Sequence, residues 1–277
     1  MTSTESSDPR RVAVVTGGGR GIGAAVGAGL AAAGWRVALV DRCADDPELP
    51  YPLATRHDLD VAVARCVGAA EGDTSAAVGL VADVRDQSGL DIAVRDVLER
   101  WDRLDAAVAA AGVIAGGPPA WETDDVTWNA MVDVNLTGVW RLARATIPAL
   151  LDAPEPRQGR FVAIASTAGL DGLPQLGAYT ASKHGVIGLV KSLAAELGER
   201  GVTANAVCPG STRTAMLDAS AVIYELASAD EFAAHHALRR ILEPDEVATA
   251  VVWLCSEAAS GMTGAVVPVD GGMTATP

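Results

Sequence analysis

Aromatic and basic residues are both scarce in this sequence of 277 residues. Phe, Trp and Tyr together make up 4% of it, so Ala, Val and Leu must fill the interior. Lys and Arg number 21 against 35 Asp and Glu, which gives a formal net charge of −14. Because such a negative field repels phosphates, the composition argues against nucleic acid or an anionic membrane surface as a partner.

Cysteine and histidine are also few, with four of each. The cysteines contain no Cys-x-x-Cys pair and the histidines form no metal-type cluster, so we expect neither a disulfide framework nor a bound metal. Scattered thiols are typical of a reducing compartment, and a cytoplasmic location is therefore predicted. The residues are Cys43, Cys66, Cys208 and Cys255, and His57, His184, His235 and His236.

Long hydrophobic runs are missing as well. The longest smooth one covers about residues 106–117 and is too short to cross a bilayer. Residues 1–11 are rich in Ser, Thr, Asp and Arg and lack the apolar core of a signal peptide. The sequence therefore predicts no membrane segment, and residues 1–10 are expected to form a flexible N-terminus.

The sequence does contain ample apolar material, 49% of its residues, arranged as short apolar runs that alternate with helical stretches. Continuously apolar strands separated by helices predict a parallel sheet covered by helices on both faces. We expect an α/β fold, a single doubly wound Rossmann domain over residues 11–277 with a seven-stranded parallel sheet. The predicted strands are residues 11–16, 36–41, 77–83, 104–111, 159–166, 202–207 and 264–269, and the main helices are 22–33, 56–70, 128–151, 179–199 and 246–256.

A glycine-rich turn lies between the first predicted strand and the first predicted helix. Glycines let the backbone approach a pyrophosphate, and the following helix N-terminus offers free N–H groups to the anion. The turn lacks the Lys-Ser/Thr ending of a P-loop, which argues against a nucleoside triphosphate and favours a dinucleotide as the ligand. The predicted cofactor contacts in this turn are Gly17, Gly19, Arg20, Gly21, Ile22 and Gly23.

Asp41 ends the second predicted strand, where a carboxylate can accept hydrogen bonds from both ribose hydroxyls of an adenosine. It would repel a 2′-phosphate, so NAD is favoured over NADP, although Arg42 follows and could in principle offset that repulsion. Asp83 and Val84, at the end of the third strand, are predicted to reach the adenine.

Tyr179 and Lys183 are predicted to share one face of a helix, because they are spaced i, i+4. A neighbouring ammonium favours the phenolate and lowers the pKa of tyrosine, which can then exchange a proton with an alcohol or carbonyl. Ser166 ends the fifth strand, at the sheet edge where ligands of such folds bind, and its hydroxyl can hold a substrate oxygen.

Six features follow one another along the sequence: the glycine turn, Asp41, Asn135, Ser166, the Tyr179/Lys183 pair and Pro209-Gly210. In this order they resemble the short-chain dehydrogenase/reductase family over residues 11–272. The resemblance implies NAD(P)-dependent oxidation of alcohols or reduction of carbonyls. It implies that Tyr179 is the general base or acid, that Lys183 lowers its pKa and holds the nicotinamide ribose, and that Ser166 positions the substrate oxygen. Asn135 would maintain a helix kink and a proton-relaying water. The residues expected to border the nicotinamide are Pro209, Gly210, Thr212 and Thr214.

One motif departs from the family pattern. The family usually carries Asn-Asn-Ala-Gly after strand four, whereas this sequence has Ala109-Ala-Ala-Gly112. Cofactor contacts at Ala111 and Gly112 must therefore come from the backbone or from other groups.

The excursion at residues 43–75 is longer than usual for the family at this place. Its Tyr51-Pro-Leu-Ala-Thr55 stretch and the helix that follows resemble the insert of mycofactocin-coupled dehydrogenases, the group that includes carveol-type alcohol dehydrogenases. That resemblance implies that the insert folds over the adenosine side, that NAD does not exchange readily, and that mycofactocin re-oxidises it.

Residues 211–240 correspond to the family's substrate lid, and their Ala, Leu and Met content suggests an apolar alcohol or ketone. The pair His235-His236 is expected to be a solvated loop feature rather than a substrate contact. Two alternatives remain open, a ketoreductase for carrier-bound β-keto acyl groups with an exchangeable cofactor, and a non-catalytic NAD-binding regulator. By analogy with the family, a homotetramer is expected.

Overall fold

The computed structural model describes residues 10–153 and 158–275, and within these ranges seven strands form one sheet. They are β1 Val12–Thr16, β2 Arg36–Asp41, β3 Ala77–Val81, β4 Ala106–Ala109, β5 Gly159–Ile164, β6 Val202–Pro209 and β7 Val266–Val269. Every neighbouring pair is parallel, in the order β3-β2-β1-β4-β5-β6-β7. The order reverses between β1 and β4, so a ligand crevice is expected outside their carboxyl ends. The predicted fold class is confirmed.

Eight α-helices occur in the described part of the chain. They are α1 Gly21–Ala32, α2 Arg56–Ala69, α3 Gln87–Trp101, α4 Asp125–Val132, α5 Gly138–Asp152, α6 Gly177–Leu197, α7 Ala215–Ile223 and α8 Pro244–Cys255. Helices α3 and α7 were not predicted from the sequence. The predicted helix over 128–151 starts earlier and is divided, because a π-helical turn, Asp133–Thr137, separates α4 from α5.

The two faces of the sheet are buried against different helices, because successive strand residues point to opposite sides. Val12 and Val14 of β1 pack into a core with α3, α5 and α6. Ala13 and Val15 of the same strand pack into a second core with α1, α2 and α8. Both cores are built mainly from Ala, Val and Leu, as the low aromatic content predicts.

The insert, residues 43–75, begins as an irregular loop and ends with α2, whose start is capped by Thr55 in a reciprocal pair with Asp58. The lid, residues 211–240, contains α7 and the 3-10 segment Ala229–His235. The predicted flexible N-terminus lies, apart from Arg10, outside the described residues. None of the helices in the described ranges is long and apolar enough to cross a membrane.

Candidate active site

The glycine turn forms a tight cradle between β1 and α1. A Cβ at Gly23 would lie 2.1 Å from the carbonyl oxygen of Gly17. A Cβ at Gly17, whose φ is +66°, would lie 2.6 Å from the amide nitrogen of Ala111. The backbone of the turn therefore approaches both the helix and the neighbouring strand edge closely. Gly21, Ile22 and Gly23, the first residues of α1, line the cleft, so the N–H groups of this helix end suit a pyrophosphate.

Asp41, the residue predicted to contact adenosine, lies at one end of the cleft, and its Oδ2 accepts a hydrogen bond from the Gly19 amide at 2.9 Å. Arg42, next to it, is ion-paired with Asp46 at 2.6 Å and with Asp83 at 3.4 Å. Asp41 and Asp83 line the same cleft, as predicted residues Arg42 and Val84 also do. Asp83 is held by arginines, so its predicted contact with adenine would have to be made alongside those ion pairs.

The strand edge with the unusual Ala109-Ala-Ala-Gly112 sequence is supported by another residue. Asn135 lies in the π-helical turn, is fully buried, and forms two hydrogen bonds with the backbone of Val113. Its Oδ1 accepts from the Val113 amide at 2.8 Å, and its Nδ2 donates to the Val113 carbonyl at 2.9 Å. One amide side chain, from the helix side, thus fixes this strand edge. The usual family motif would instead supply two amide side chains from the strand itself.

The predicted catalytic residues converge at the carboxyl edge of β5. Ser166 follows that strand, and its Oγ accepts from the Ala168 amide at 3.1 Å. Tyr179 and Lys183 are buried in α6, with the Lys183 ammonium 5.7 Å from the centre of the Tyr179 ring. Lys183 Nζ donates to the Ile164 carbonyl at 2.9 Å. Ser166, Tyr179 and Lys183 line the cleft; Asn135 lies behind it.

Burial dominates the ionisation of the tyrosine–lysine pair. It raises the pKa of Tyr179 to about 12, although a hydrogen bond with Ser166 opposes the shift. It also lowers the pKa of Lys183 to about 8. Burial penalises both charged forms, so it opposes the lowering of the Tyr179 pKa that is predicted for the neighbouring Lys183. At neutral pH the phenol holds its proton.

The insert covers the Asp41 end of the cleft. Tyr51 Oη accepts a hydrogen bond from the Ile114 amide at 3.0 Å, which ties the insert to the segment after β4. Arg20 of the glycine turn donates to the Pro52 carbonyl at 2.7 Å. Ala54 packs against Gly19, where an added Cβ would lie 2.9 Å from its side chain. The insert is thus attached to both strand-end loops that flank the cradle.

The lid covers the other side with apolar side chains. Tyr224, which faces the cleft, donates its hydroxyl proton to the Pro174 carbonyl at 2.8 Å. The expectation for the histidine pair is wrong for His236, which is fully buried and accepts a hydrogen bond from the Ser211 amide at 3.1 Å. The apolar and aromatic cleft residues of the lid are Met216, Leu217, Tyr224, Leu226 and Phe232.

The resulting cleft has a volume of about 880 Å³ and runs from the Asp41 end to the lid. It includes Pro209, Gly210, Thr212 and Thr214, the residues predicted to border the nicotinamide. Several cleft residues were not predicted, since they come from loops without a chemical motif. They are Tyr51, Leu53, Ile114, Leu173 and Met273. The stretch that contains Tyr51 was identified only through a family resemblance. The hydrogen bond of Tyr51 with the distant Ile114 amide has no signature in the sequence.

A family model described as enoyl-(acyl carrier protein) reductase matches residues 17–274. With the fold and the site above, this defines the class: the chain belongs to the short-chain dehydrogenase/reductase family. The predicted family and the predicted enzyme class, an NAD-dependent oxidoreductase, are confirmed.

Individual relatives narrow the comparison. An uncharacterised NAD-dependent oxidoreductase of Mycobacterium tuberculosis is 37% identical, with 98% of each chain covered. The (−)-trans-carveol dehydrogenase of Rhodococcus erythropolis is 35% identical over 95% of this chain and 97% of its own. The solved structure of carveol dehydrogenase from Mycobacterium avium in complex with NAD has a TM-score of 0.89 at 30% identity, covering 98% of this chain and 100% of that chain.

Proposed function

We propose that this protein transfers a hydride between an apolar secondary alcohol, or the corresponding ketone, and NAD. The observation that carries the proposal is one cleft in which the glycine cradle and Asp41 lie at one end and Ser166, Tyr179 and Lys183 at the other. NAD, when bound, supplies the nicotinamide ring that accepts or donates the hydride. The chain's own residues manage the proton and the geometry.

Tyr179 exchanges the proton of the substrate oxygen. Oxidation removes a hydride from the alcohol carbon and a proton from its oxygen, and the proton passes to Tyr179 Oη. Tyr179 must first release its own proton, and its hydrogen bond with Ser166 favours the phenolate that results. Reduction reverses both transfers. Because the pKa of Tyr179 is raised by burial to about 12, the phenol is ready to act as the acid of ketone reduction at neutral pH.

Ser166 and Lys183 hold the reacting groups in place. Ser166 shares a hydrogen bond with Tyr179, so one substrate oxygen can lie against both hydroxyls. Lys183 is anchored at the Ile164 carbonyl at 2.9 Å and lines the cleft beside Gly112, suited to a ribose hydroxyl. Asn135 acts from behind by fixing Val113. Such fixed geometry is a large part of what a protein contributes to hydride transfer.

NAD is preferred over NADP in this proposal. Asp41 lies at the end of β2 beside the cradle, where its charge opposes a 2′-phosphate. Arg42, the cation that could offset it, is already ion-paired with Asp46 and Asp83.

We further propose that NAD stays bound through many turnovers and is re-oxidised by mycofactocin. The support is the insert, which reaches the cradle through Arg20 and Pro52 and the opposite strand edge through Tyr51 and Ile114. A cover attached on both sides slows release of what lies beneath it.

The first experiment is nucleotide content. The purified protein is dialysed exhaustively and denatured, and the released nucleotide is identified by mass spectrometry. Near-stoichiometric NAD, with alcohol oxidation that needs an artificial electron acceptor, supports retained NAD. An empty protein that reduces added NAD with a secondary alcohol contradicts retention and points to an ordinary exchanging dehydrogenase.

The chemistry is tested by Tyr179→Phe, with Tyr224→Phe as the matched control. We expect the first variant to lose turnover by about 10²–10⁴-fold while NAD binding persists, because only the proton-exchanging hydroxyl is removed. Tyr224→Phe should keep turnover within about tenfold. Full activity of Tyr179→Phe would exclude the proposed role of its hydroxyl. An unchanged cellular phenotype of a variant that has lost turnover would instead favour a non-catalytic NAD-binding regulator.

A further inference from the structure

Four charged side chains meet at the adenosine end of the cleft. Asp46 Oδ2 lies 2.6 Å from Arg42 Nη1 and 2.9 Å from Arg85 Nη1. Asp83 Oδ2 lies 2.8 Å from Arg85 Nη2 and 3.4 Å from Arg42 Nε. Each guanidinium therefore faces two carboxylates, and the cluster carries no net charge.

The four residues come from three separate segments. Arg42 directly follows the end of β2, Asp83 and Arg85 follow β3, and Asp46 belongs to the insert. The cluster thus joins the insert to the two strand ends that lie beside the adenosine position.

Asp46 is the most deeply buried member, with 4% of its side chain exposed against 25–27% for the other three. Its Oδ1 accepts the Glu48 amide at 3.1 Å, and its carbonyl accepts the Leu49 amide at 3.0 Å. Burial opposes ionisation, but the Glu48 amide and the two arginines outweigh it and lower the pKa of Asp46. The carboxylate is therefore charged at neutral pH and holds both guanidinium groups.

We propose that Asp46 is a specificity-determining positioning residue that makes the site reject NADP by occupying Arg42 and Arg85, and that the same ion pairs hold the insert closed over the adenosine. The inference rests on the proposed function, since it assumes that an adenosine nucleotide occupies this end of the cleft. A 2′-phosphate beside Asp41 would need a free guanidinium. Freeing one breaks an ion pair of Asp46, whose side chain is only 4% exposed and so gains little hydration in return.

The test is Asp46→Asn, measured by calorimetric titration of nucleotide-free protein with NAD and with NADP. Asparagine keeps the shape and can still accept the Glu48 amide, but it removes the negative charge. We expect the ratio of NADP to NAD affinity to rise by about tenfold or more, and NAD to dissociate faster. Asp46→Glu should restore the preference for NAD. Asp60→Asn is the matched control, because Asp60 lies on the insert helix in an exposed pair with Arg56 at 2.9 Å.

Arg42→Gln gives a second measurement that does not depend on the folding of the Asp46 variant. If Asp46 already occupies Arg42, this change should leave the NADP to NAD affinity ratio within about threefold. A selective loss of NADP affinity would overturn the proposal, because Arg42 would then serve the 2′-phosphate in the native protein. An equal loss of both affinities in Asp46→Asn would also overturn it and reduce Asp46 to a structural role. Failure of the proposed function itself looks different, since the unaltered protein would then bind neither nucleotide or would bind NAD without oxidising any alcohol.

Discussion

Two segments cover the carboxyl edge of the sheet, and different forces hold them. The insert, residues 43–75, is attached by directed contacts, the Asp46 ion pairs and the hydrogen bond from the Ile114 amide to Tyr51. The lid, residues 211–240, contains an apolar cluster of Leu217, Ala221 and Phe232 with Ile241, besides hydrogen bonds such as the one from Tyr224 to the Pro174 carbonyl. The insert is thus distinguished by a partly buried cluster of ion pairs, and the lid by an apolar cluster of its own.

The difference matches the ligands that each cover would face. Ion pairs and hydrogen bonds are sensitive to distance and angle, so they fix one arrangement, which suits a cofactor that is the same in every turnover. Apolar contacts are non-directional, so a lid held by them can re-pack around substrates of different shape. Beneath both covers lies the buried Tyr179–Lys183 pair, where the chemistry is proposed to occur.

The largest effect is expected where neither cover contributes. Lys183→Met should reduce turnover by about 10²–10⁴-fold, because it removes the cation beside Tyr179. Turnover is measured by steady-state kinetics. The control is Lys191→Met, on the exposed face of the same helix, which should leave turnover unchanged. Normal turnover of Lys183→Met would mean that the pair under the covers is not the reacting centre.

The same variant has a stability signature with a definite sign. Burial lowers the pKa of Lys183 to about 8, from an ordinary 10.5. Between about pH 8 and 10 the unfolded chain binds more protons than the folded one, so the free energy of unfolding rises with pH. Below pH 8 the folded protein bears the full cost of the buried ammonium. Lys183→Met should therefore be more stable by about 1–2 kcal/mol near pH 7 in thermal unfolding, with the advantage shrinking toward pH 10.

A large and selective effect is expected in the lid. Phe232→Ala should lower the free energy of unfolding by about 2–4 kcal/mol, because a buried ring is removed from the apolar cluster. KM for an apolar alcohol should rise while NAD affinity stays unchanged. Leu238→Ala, at an exposed lid position, is the control. A loss of NAD affinity in Phe232→Ala would break the division between the two covers.

A smaller effect of the opposite selectivity is expected in the insert. Tyr51→Phe leaves the Ile114 amide without its acceptor, which should cost about 1–3 kcal/mol. The cofactor should dissociate faster, whereas KM for the alcohol should change less than the dissociation rate. Dissociation is measured by stopped-flow fluorescence of bound NADH. Tyr224→Phe should change KM for the alcohol more than the rate of cofactor dissociation, because the Tyr224 hydroxyl donates to the Pro174 carbonyl on the lid side.

The smallest effect is expected at the outer surface of the insert. Arg65 on α2 pairs with Asp245 on α8 at 2.6 Å, with both side chains largely exposed. Arg65→Gln should change the free energy of unfolding by less than about 1 kcal/mol, because exposed ion pairs are weak. A larger loss in chemical denaturation would show that the insert depends on this contact as well as on the buried one at Asp46.

Much of the fold was predictable because parallel strands are buried on both faces and leave continuous apolar runs in the sequence. The division of the helix over 125–152 was not visible in the helical periodicity, since α4 and α5 have ordinary helical patterns. Only the family resemblance, which implied a kink at Asn135, pointed to it, and Asn135 lies in the π-helical turn. The burial of His236 was not predicted. Its partner, the Ser211 amide, lies 25 residues away in the chain, and only the folded lid brings them together.

The sequence alone determined the class of fold, the positions of the cradle and of Asp41, and the identity of the Ser166, Tyr179 and Lys183 group, because these follow from local periodicity and from motifs at strand ends. Tertiary structure decided the pKa values, which depend on burial from all sides. It also decided which charges cancel, since the partners of Asp46 come from segments that only the sheet order brings together. Local patterns depend on residues that are close in the sequence. The electrostatic environment of a side chain depends instead on all the charges and the burial around it in the folded molecule.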